Sequence, residues 1–205
     1  MKTEIQKQFE AEIKDRQPEI SLKYEEIFGE LEVWICGGNS AGLILRGGIG
    51  QGKTTMLRAI CKIVKAFWTE ERILTIRQEL RNPNIKSIRA DDLLHIAHTE
   101  GREGLFYGEH AIGQAGVLFI DDLGGETETE IRFEGWNKSH EVYIRETIRP
   151  FAELLTRRCD NNLPTLISTR LDKTQIIERY GESVFDRLFG SCNWVNMYFK
   201  EGGFR

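Results

Sequence analysis

Gly42-Leu43-Ile44-Leu45-Arg46 runs directly into Gly47-Gly48-Ile49-Gly50-Gln51-Gly52-Lys53-Thr54, and residues 53–68 continue as KTTMLRAICKIVKAFW. The first five residues are a short apolar run of the kind that forms a buried strand. The next eight satisfy the spacing GxxxxGK[ST]. From Lys53 onward, Met56, Ile60, Ile63, Val64 and Phe67 recur at the spacing of one apolar helix face. Strand, glycine-rich turn and helix, in that order, give the spacing its physical meaning. Glycines let successive backbone N–H groups close around phosphate oxygens. The helix aims the positive end of its dipole at the same anion. Lys53 is placed to reach the β- and γ-phosphates, and the Thr54 hydroxyl to ligate Mg²⁺. A glycine-rich turn that meets the spacing by chance is the competing explanation, and the flanking elements weigh against it. The expected ligands are therefore ATP and Mg²⁺. The expected nucleotide contacts are Gly47, Gly48, Ile49, Gly50, Gln51, Gly52, Lys53, Thr54 and Thr55, with Thr54 also on the metal.

Further along, Val117-Leu118-Phe119-Ile120 is the most apolar short run in the chain and leads straight into Asp121-Asp122. Apolar residues ending in two acids describe a strand tip at the carboxyl edge of a parallel sheet, where ligands sit in open α/β folds. Asp121 is expected to hold Mg²⁺ and Asp122 to orient or deprotonate the attacking water. A capping acid at a strand end is the plainer alternative. A third run, Leu163-Pro164-Thr165-Leu166-Ile167-Ser168-Thr169-Arg170, is another buried strand whose terminal hydroxyls either approach the γ-phosphate or cap the strand end. In Arg179-Tyr180-Gly181-Glu182-Ser183-Val184-Phe185-Asp186-Arg187-Leu188, the residues Val184, Leu188 and Phe185 are candidates for a core face, with Arg187 exposed. An exposed arginine can enter a neighbouring subunit's nucleotide site. Equally, it can form a surface ion pair with Asp186 or Glu182.

These strands alternate with helical stretches, which argues for an α/β fold: a P-loop NTPase with a parallel sheet flanked by helices and no obvious C-terminal lid domain. Ile85–Arg89 is a further strand, and Asp91 a candidate cap for a helix reaching about Thr99. Residues 101–116 are expected to be mostly loop and 124–140 irregular. A helix is expected over 141–159, with Pro150 tolerated in a first turn. Helices over 173–180 and 182–189 and a last strand from Trp194 to Phe199 complete the expectation. Residues 69–84 fit either a strand and turn or a helical extension. Residues 1–40 are expected to form a helical extension that hooks a partner, ahead of an ATPase domain over 41–205.

The chain has 205 residues and a formal net charge of −4, so bulk charge does not steer it to nucleic acid. Its most basic stretch carries Arg72, Arg77, Arg81, Lys86 and Arg89, and Phe133, Trp136, Lys138 and His140 form a mixed aromatic and basic stretch. Both are candidate DNA contacts; for the first a solvated surface is the favoured reading, and the second can equally pack under a loop. Cys36, Cys61, Cys159 and Cys192 are scattered, and the four histidines have no zinc spacing. The first residues lack the apolar core of a signal peptide, and no apolar run is long enough to span a bilayer, so a cytoplasmic protein is expected.

GGIGQGKTT, VLFIDDLGGE, NLPTLISTRL, ERYGESVFDRL and FKEGGFR, in that order, resemble the DnaC/IstB-like AAA+ ATPases, which are replicative helicase loaders and transposase helpers. The resemblance covers roughly residues 40–205. It implies an arginine-finger role for Arg187 and a Mg²⁺-dependent, weak or partner-stimulated ATPase. It also implies self-association through the ATP sites, with a replicative DNA helicase or a transposase, and single-stranded DNA, as partners. One departure stands out. Family members usually carry Asn before the leucine at the end of the third strand, and this chain has Arg170 there, with Thr169 before it. Thr169 substitutes, or Arg170 binds the γ-phosphate, or turnover is slow. A helicase loader is the leading expectation. A transposition helper, a nucleotide-binding adaptor with little turnover and a small-molecule P-loop kinase are the alternatives.

Overall fold

A computed structural model describes residues 42–67, 84–107, 111–127, 129–137 and 142–197, with Lys7, Ala11, Gly29 and Trp34 before them. In chain order the elements are β1 (Gly42–Arg46), α1 (Lys53–Phe67), β2 (Ile85–Arg89), α2 (Ala90–Phe106), a 3₁₀ turn (Ile112–Gln114), β3 (Val117–Leu123), β4 (Ile131–Asn137), β5 (Val142–Ile148), α3 (Pro150–Asp160), β6 (Thr165–Thr169), α4 (Lys173–Tyr180), α5 (Glu182–Ser191) and β7 (Cys192–Asn196). Five strands pair in parallel in the order β2-β3-β6-β1-β7, while β4 and β5 form a separate antiparallel ribbon.

Successive strand residues point to opposite faces, and both faces are covered. Leu43, Leu45, Val117, Phe119, Leu166 and Val195 meet α1, through Met56, Leu57, Ile60, Ile63 and Val64, together with Trp34. Ile44, Leu118, Ile120 and Ile167 meet α2, α3, α4 and α5 on the other side. Burial on both faces is why the central strands read as continuous apolar runs rather than alternating ones. The chain leaves β1 for the far edge at β2, returns through β3 to β6 beside β1, and ends on β1's other side at β7. Connections therefore diverge around β1, and this places a crevice at its carboxyl end.

Several expected elements differ. Residues 142–148 are the strand β5, not the start of a helix, and residues 131–137 of the stretch expected to be irregular form its partner β4, in register from Ile131↔Ile148 to Asn137↔Val142. The sequence VYIRETI is rich in β-branched and aromatic residues that suit a ladder. Pro150 pushes the residue before it out of helical geometry, with Arg149 at φ −115°, ψ 83°, so α3 begins at the proline itself. Asp91 does not cap α2. Arg89 occupies the cap position, and Asp91 and Asp92 lie in the first turn, where carboxylates complement the helix dipole. The regular run of α2 ends close to the expected Thr99: Gly101 (φ 60°, ψ −151°) breaks the helical geometry, and a second helical stretch, where loop was expected, follows to Phe106, anchored by buried Leu105 and Phe106. The last strand starts at Cys192 and ends at Asn196. The helical stretches expected within residues 1–40 lie outside the described residues save those four positions, as do residues 69–83 and 198–205. Cys61, Cys159 and Cys192 are free and buried.

Candidate nucleotide-binding site

β1 hands the chain to Gly47, whose N–H donates to Thr169 O at 3.1 Å. Close packing requires a glycine here, because a Cβ would lie 2.7 Å from Met197 O. Gly50 and Gly52 both have φ 75°, a left-handed conformation that glycine adopts without penalty. The loop thus turns sharply back into α1, with Ile49 at its tip 79% exposed. Lys53 Nζ donates to Gly47 O at 2.8 Å and to Gly48 O at 2.7 Å, closing across the loop. Burial pulls the Lys53 ammonium below its ordinary pKa; Asp122 opposes this, Arg170 adds to it, and Asp121 opposes it. A half-desolvated cation beside backbone amides is a favourable partner for an anion.

The acids of β3 arrive at the same place. Asp121 is buried, and its Oδ1 accepts from Thr54 Oγ1 at 3.0 Å and from Ser168 Oγ at 2.6 Å. Asp122 is half-buried with φ 58°; its N–H donates to Ser168 Oγ at 2.8 Å, and its carbonyl accepts from Gly125 N at 2.8 Å. The hydroxyl and carboxylate oxygens of Thr54 and Asp121 are hard ligands that suit Mg²⁺, which takes few protein ligands and completes its shell with phosphates and water. Among the described residues there is no cluster of three or more His, Cys, Asp or Glu that could hold a metal by itself.

At the end of β6, Thr169 is fully buried. Its hydroxyl donates to Leu123 O at 2.7 Å and accepts from Leu171 N at 3.1 Å, so it ties β6 to β3. Arg170 follows, exposed and near enough for its charge to act on Lys53. Arg187 is elsewhere. Val184, Phe185 and Leu188 are buried as expected, and Arg187 sits on the outer side of α5. Its Nε donates to Asp160 Oδ1 at 2.7 Å, and its Nη1 to Ser183 O at 3.2 Å and to Ser183 Oγ. The ion-pair partner is thus Asp160, rather than Asp186 or Glu182. Asp160 ends α3 ahead of the amino end of β6. The four steps along β6 from Thr165 to Thr169, at about 3.3 Å each, put that end roughly 13 Å from the strand tips that carry the site.

Sequence reasoning passed over two features. Ser168 is the β6 hydroxyl that touches both acids. Glu126, also buried, accepts from Gly124 N at 2.8 Å, from Arg179 Nε at 2.8 Å and from Tyr180 OH, joining the loop after Asp122 to α4. Burial, then the charge of Glu126, pushes the Tyr180 hydroxyl far above its ordinary pKa. Glu126 and Arg179 are 53 residues apart, and no local pattern announces the pair. Of the candidate DNA contacts, Lys86 and Arg89 lie on the edge strand β2, and Arg89 pairs with Asp91 at 3.7 Å. Phe133 and Trp136 fall on β4. Arg72, Arg77, Arg81, Lys138 and His140 lie outside the described residues.

No protein-family model matches the sequence, and no curated protein matches it. Solved structures do. A DnaC helicase loader is similar with a TM-score of 0.54, at 16% identity over 84% of this chain and 88% of that one. DnaI is similar with a TM-score of 0.55, at 19% identity over 88% and 83%. The replication initiator DnaA bound to AMPPCP and single-stranded DNA gives 0.52, at 13% identity over 87% of this chain and 46% of that chain, so this chain spans about half of its length. At these identities the likeness shows a shared fold, a parallel sheet flanked by helices.

Proposed function

We propose that the chain is an AAA+ ATPase of DNA replication that loads a replicative helicase onto single-stranded DNA. The observation that carries this reading is the convergence of Lys53 and Thr54 with Asp121 and Asp122 at the carboxyl ends of β1 and β3, the parallel strands on either side of β6. Loop amides bind the phosphates, and Lys53 exchanges the Gly47 and Gly48 carbonyls for phosphate oxygens. Asp122 orients the attacking water and accepts its proton. Thr54 and Asp121 would hold Mg²⁺, which would supply charge neutralisation for the phosphates. Arg187 lies away from its own phosphate loop, which fits a role at a neighbouring copy's site and self-association through ATP. DnaC and DnaI are the basis for naming a helicase as partner, and DnaA for single-stranded DNA. Among the described residues no helix is long and apolar enough to cross a membrane. A second reading, a nucleotide-binding adaptor with little turnover, draws on Thr169: both hydrogen bonds of its hydroxyl are internal, and Arg170 stands where a sensor Asn is usual.

The test is ATP binding and Mg²⁺-dependent turnover with and without single-stranded DNA, for the wild type beside Lys53→Ala and Arg187→Ala. Lys53→Ala should lose binding and turnover together. Arg187→Ala should keep binding and lose about 10³-fold or more in turnover, the magnitude of an arginine finger. ATP binding unaffected by Lys53→Ala would overturn the nucleotide reading. Binding without turnover, even with DNA and helicase present, would favour the adaptor.

A further inference from the structure

Consecutive residues on a strand ordinarily face opposite sides of the sheet, yet the Asp121 carboxylate and the Asp122 amide both meet the Ser168 hydroxyl. The register explains how. Ile120 pairs with Ile167 and Leu123 with Thr169, so two β3 residues stand opposite one β6 residue. This is a β-bulge, a device that re-aims side chains. The single residue opposite is Ser168, 1% exposed. Its hydroxyl does two things with one oxygen. It donates to Asp121 Oδ1 at 2.6 Å and accepts from Asp122 N at 2.8 Å. The first bond orients the carboxylate of Asp121. The second fixes the backbone of Asp122 in a left-handed conformation that non-glycine residues seldom adopt. Thr54 reaches the same Oδ1. Among the described residues Asp121 Oδ2 takes no hydrogen bond, so the oxygen not used for orientation is left for a ligand.

We infer that Ser168 is the positioning residue of this site: it sets the Asp121 carboxylate for the metal of a Mg²⁺–nucleotide and holds the bulge that presents Asp122. The inference rests on the nucleotide reading above. The role needs a donor and an acceptor on one short side chain, which alanine lacks and serine and threonine have. Thr169 and Arg170, the neighbouring candidates, do not touch Asp121 or the Asp122 amide.

The experiment measures binding of a fluorescent ATP analogue as Mg²⁺ is titrated, and again in excess chelator. Full-length wild type, Ser168→Ala and Ser168→Thr are compared, with steady-state turnover alongside. Ser168→Ala should weaken the Mg²⁺-dependent part of the affinity by about 10–100-fold, the usual cost of losing a group that orients a metal ligand. Binding in chelator should match wild type, and kcat should fall more than KM rises. Ser168→Thr, which keeps the hydroxyl, should restore Mg²⁺ dependence. If Ser168→Ala does not fold by thermal melting, Ser168→Cys, near in size and a weak donor, carries the same readout. Wild-type Mg²⁺ dependence in the folded hydroxyl-less variant overturns the inference alone. A wild-type chain that binds no nucleotide overturns the nucleotide reading and this inference with it.

Discussion

Asp122 carries a backbone conformation, φ 58°, that aspartate and asparagine tolerate better than most other residues. Its side-chain chemistry and its backbone geometry can therefore be separated by substitution. Asp122→Asn keeps a residue suited to the bulge but removes the proton acceptor. It should fold normally, bind ATP as wild type does, and lose about 10²–10⁴-fold in turnover, the contribution of a general base. Melting curves, equilibrium nucleotide binding and steady-state hydrolysis check the three parts in turn. Unchanged turnover would remove Asp122 from the chemistry and agree with the adaptor reading. The residue types at the site were legible because the glycines, Lys53, Thr54 and the paired acids follow in local order. Ser168 was visible only as one of two hydroxyls at a strand end, and the bulge that gives it two partners depends on β3 meeting β6.

At the scale of elements, α2 and α3 are clamped by Glu153. Arg102 Nε donates to Glu153 Oε2 at 2.8 Å and Arg102 Nη2 to Oε1 at 2.9 Å, while Arg149 N donates to Oε1 at 3.1 Å. Burial alone would raise the Glu153 pKa. The Arg102 hydrogen bond, the Arg149 amide and the Arg102 charge outweigh it, and the carboxyl sits below its ordinary value. The unfolded chain then takes up a proton at higher pH than the folded one. The stabilisation is fully present above the ordinary carboxylate pKa and is lost as pH falls through the lower folded value. Wild type should therefore lose melting temperature more steeply than Glu153→Gln between about pH 5 and 3, on the scale of partly exposed pairs, about 0.2–1 kcal/mol. Parallel acid titrations of thermal melting measure it, and identical slopes would sink the idea. The start of α3 also shows where the expectation of a helix over 141–159 failed. Residues 141–148 contain helix-compatible charged positions, but cross-strand pairing with Ile131–Asn137, residues the sequence presented as irregular, decides for a strand.

At the scale of the described fold, the proposed chemistry and a stabilising hydrogen-bond network occupy opposite ends of the sheet strands. The acids and phosphate loop lie at the carboxyl ends of β1, β3 and β6. At the amino ends, Arg158, fully buried, donates to Thr165 Oγ1, Ala115 O and Pro164 O at 2.8 Å each and to Gly113 O at 3.3 Å. It joins α3, the loop before β3 and the start of β6. Arg158→Met fills similar space but strands these acceptors, each at about 1–3 kcal/mol. The variant should lose on the order of 3 kcal/mol or more of stability while its folded fraction binds ATP like wild type. Chemical denaturation and nucleotide titration below the midpoint check both halves. Loss of affinity in fully folded protein would mean that the two ends are coupled. Arg187 belongs to this scale too: paired with Asp160 at the end of α3, its role at a nucleotide depends on a second copy.

The sequence by itself determined the class of fold, the glycine-rich turn between β1 and α1, and the place of the two acids at the end of β3. Local order of residues sets backbone propensity and the chemistry on offer, and both faces of a buried parallel strand demand a continuous apolar run. The tertiary structure alone decided which hydroxyl meets Asp121, that β3 bulges there, that Glu126 meets Arg179 and Tyr180, and that Arg187 rests on Asp160. Each of those contacts joins residues 27 to 54 positions apart. Hydrogen bonds between such residues exist only once the strands and helices have packed, and no short-range pattern records which pairs the packing will bring together.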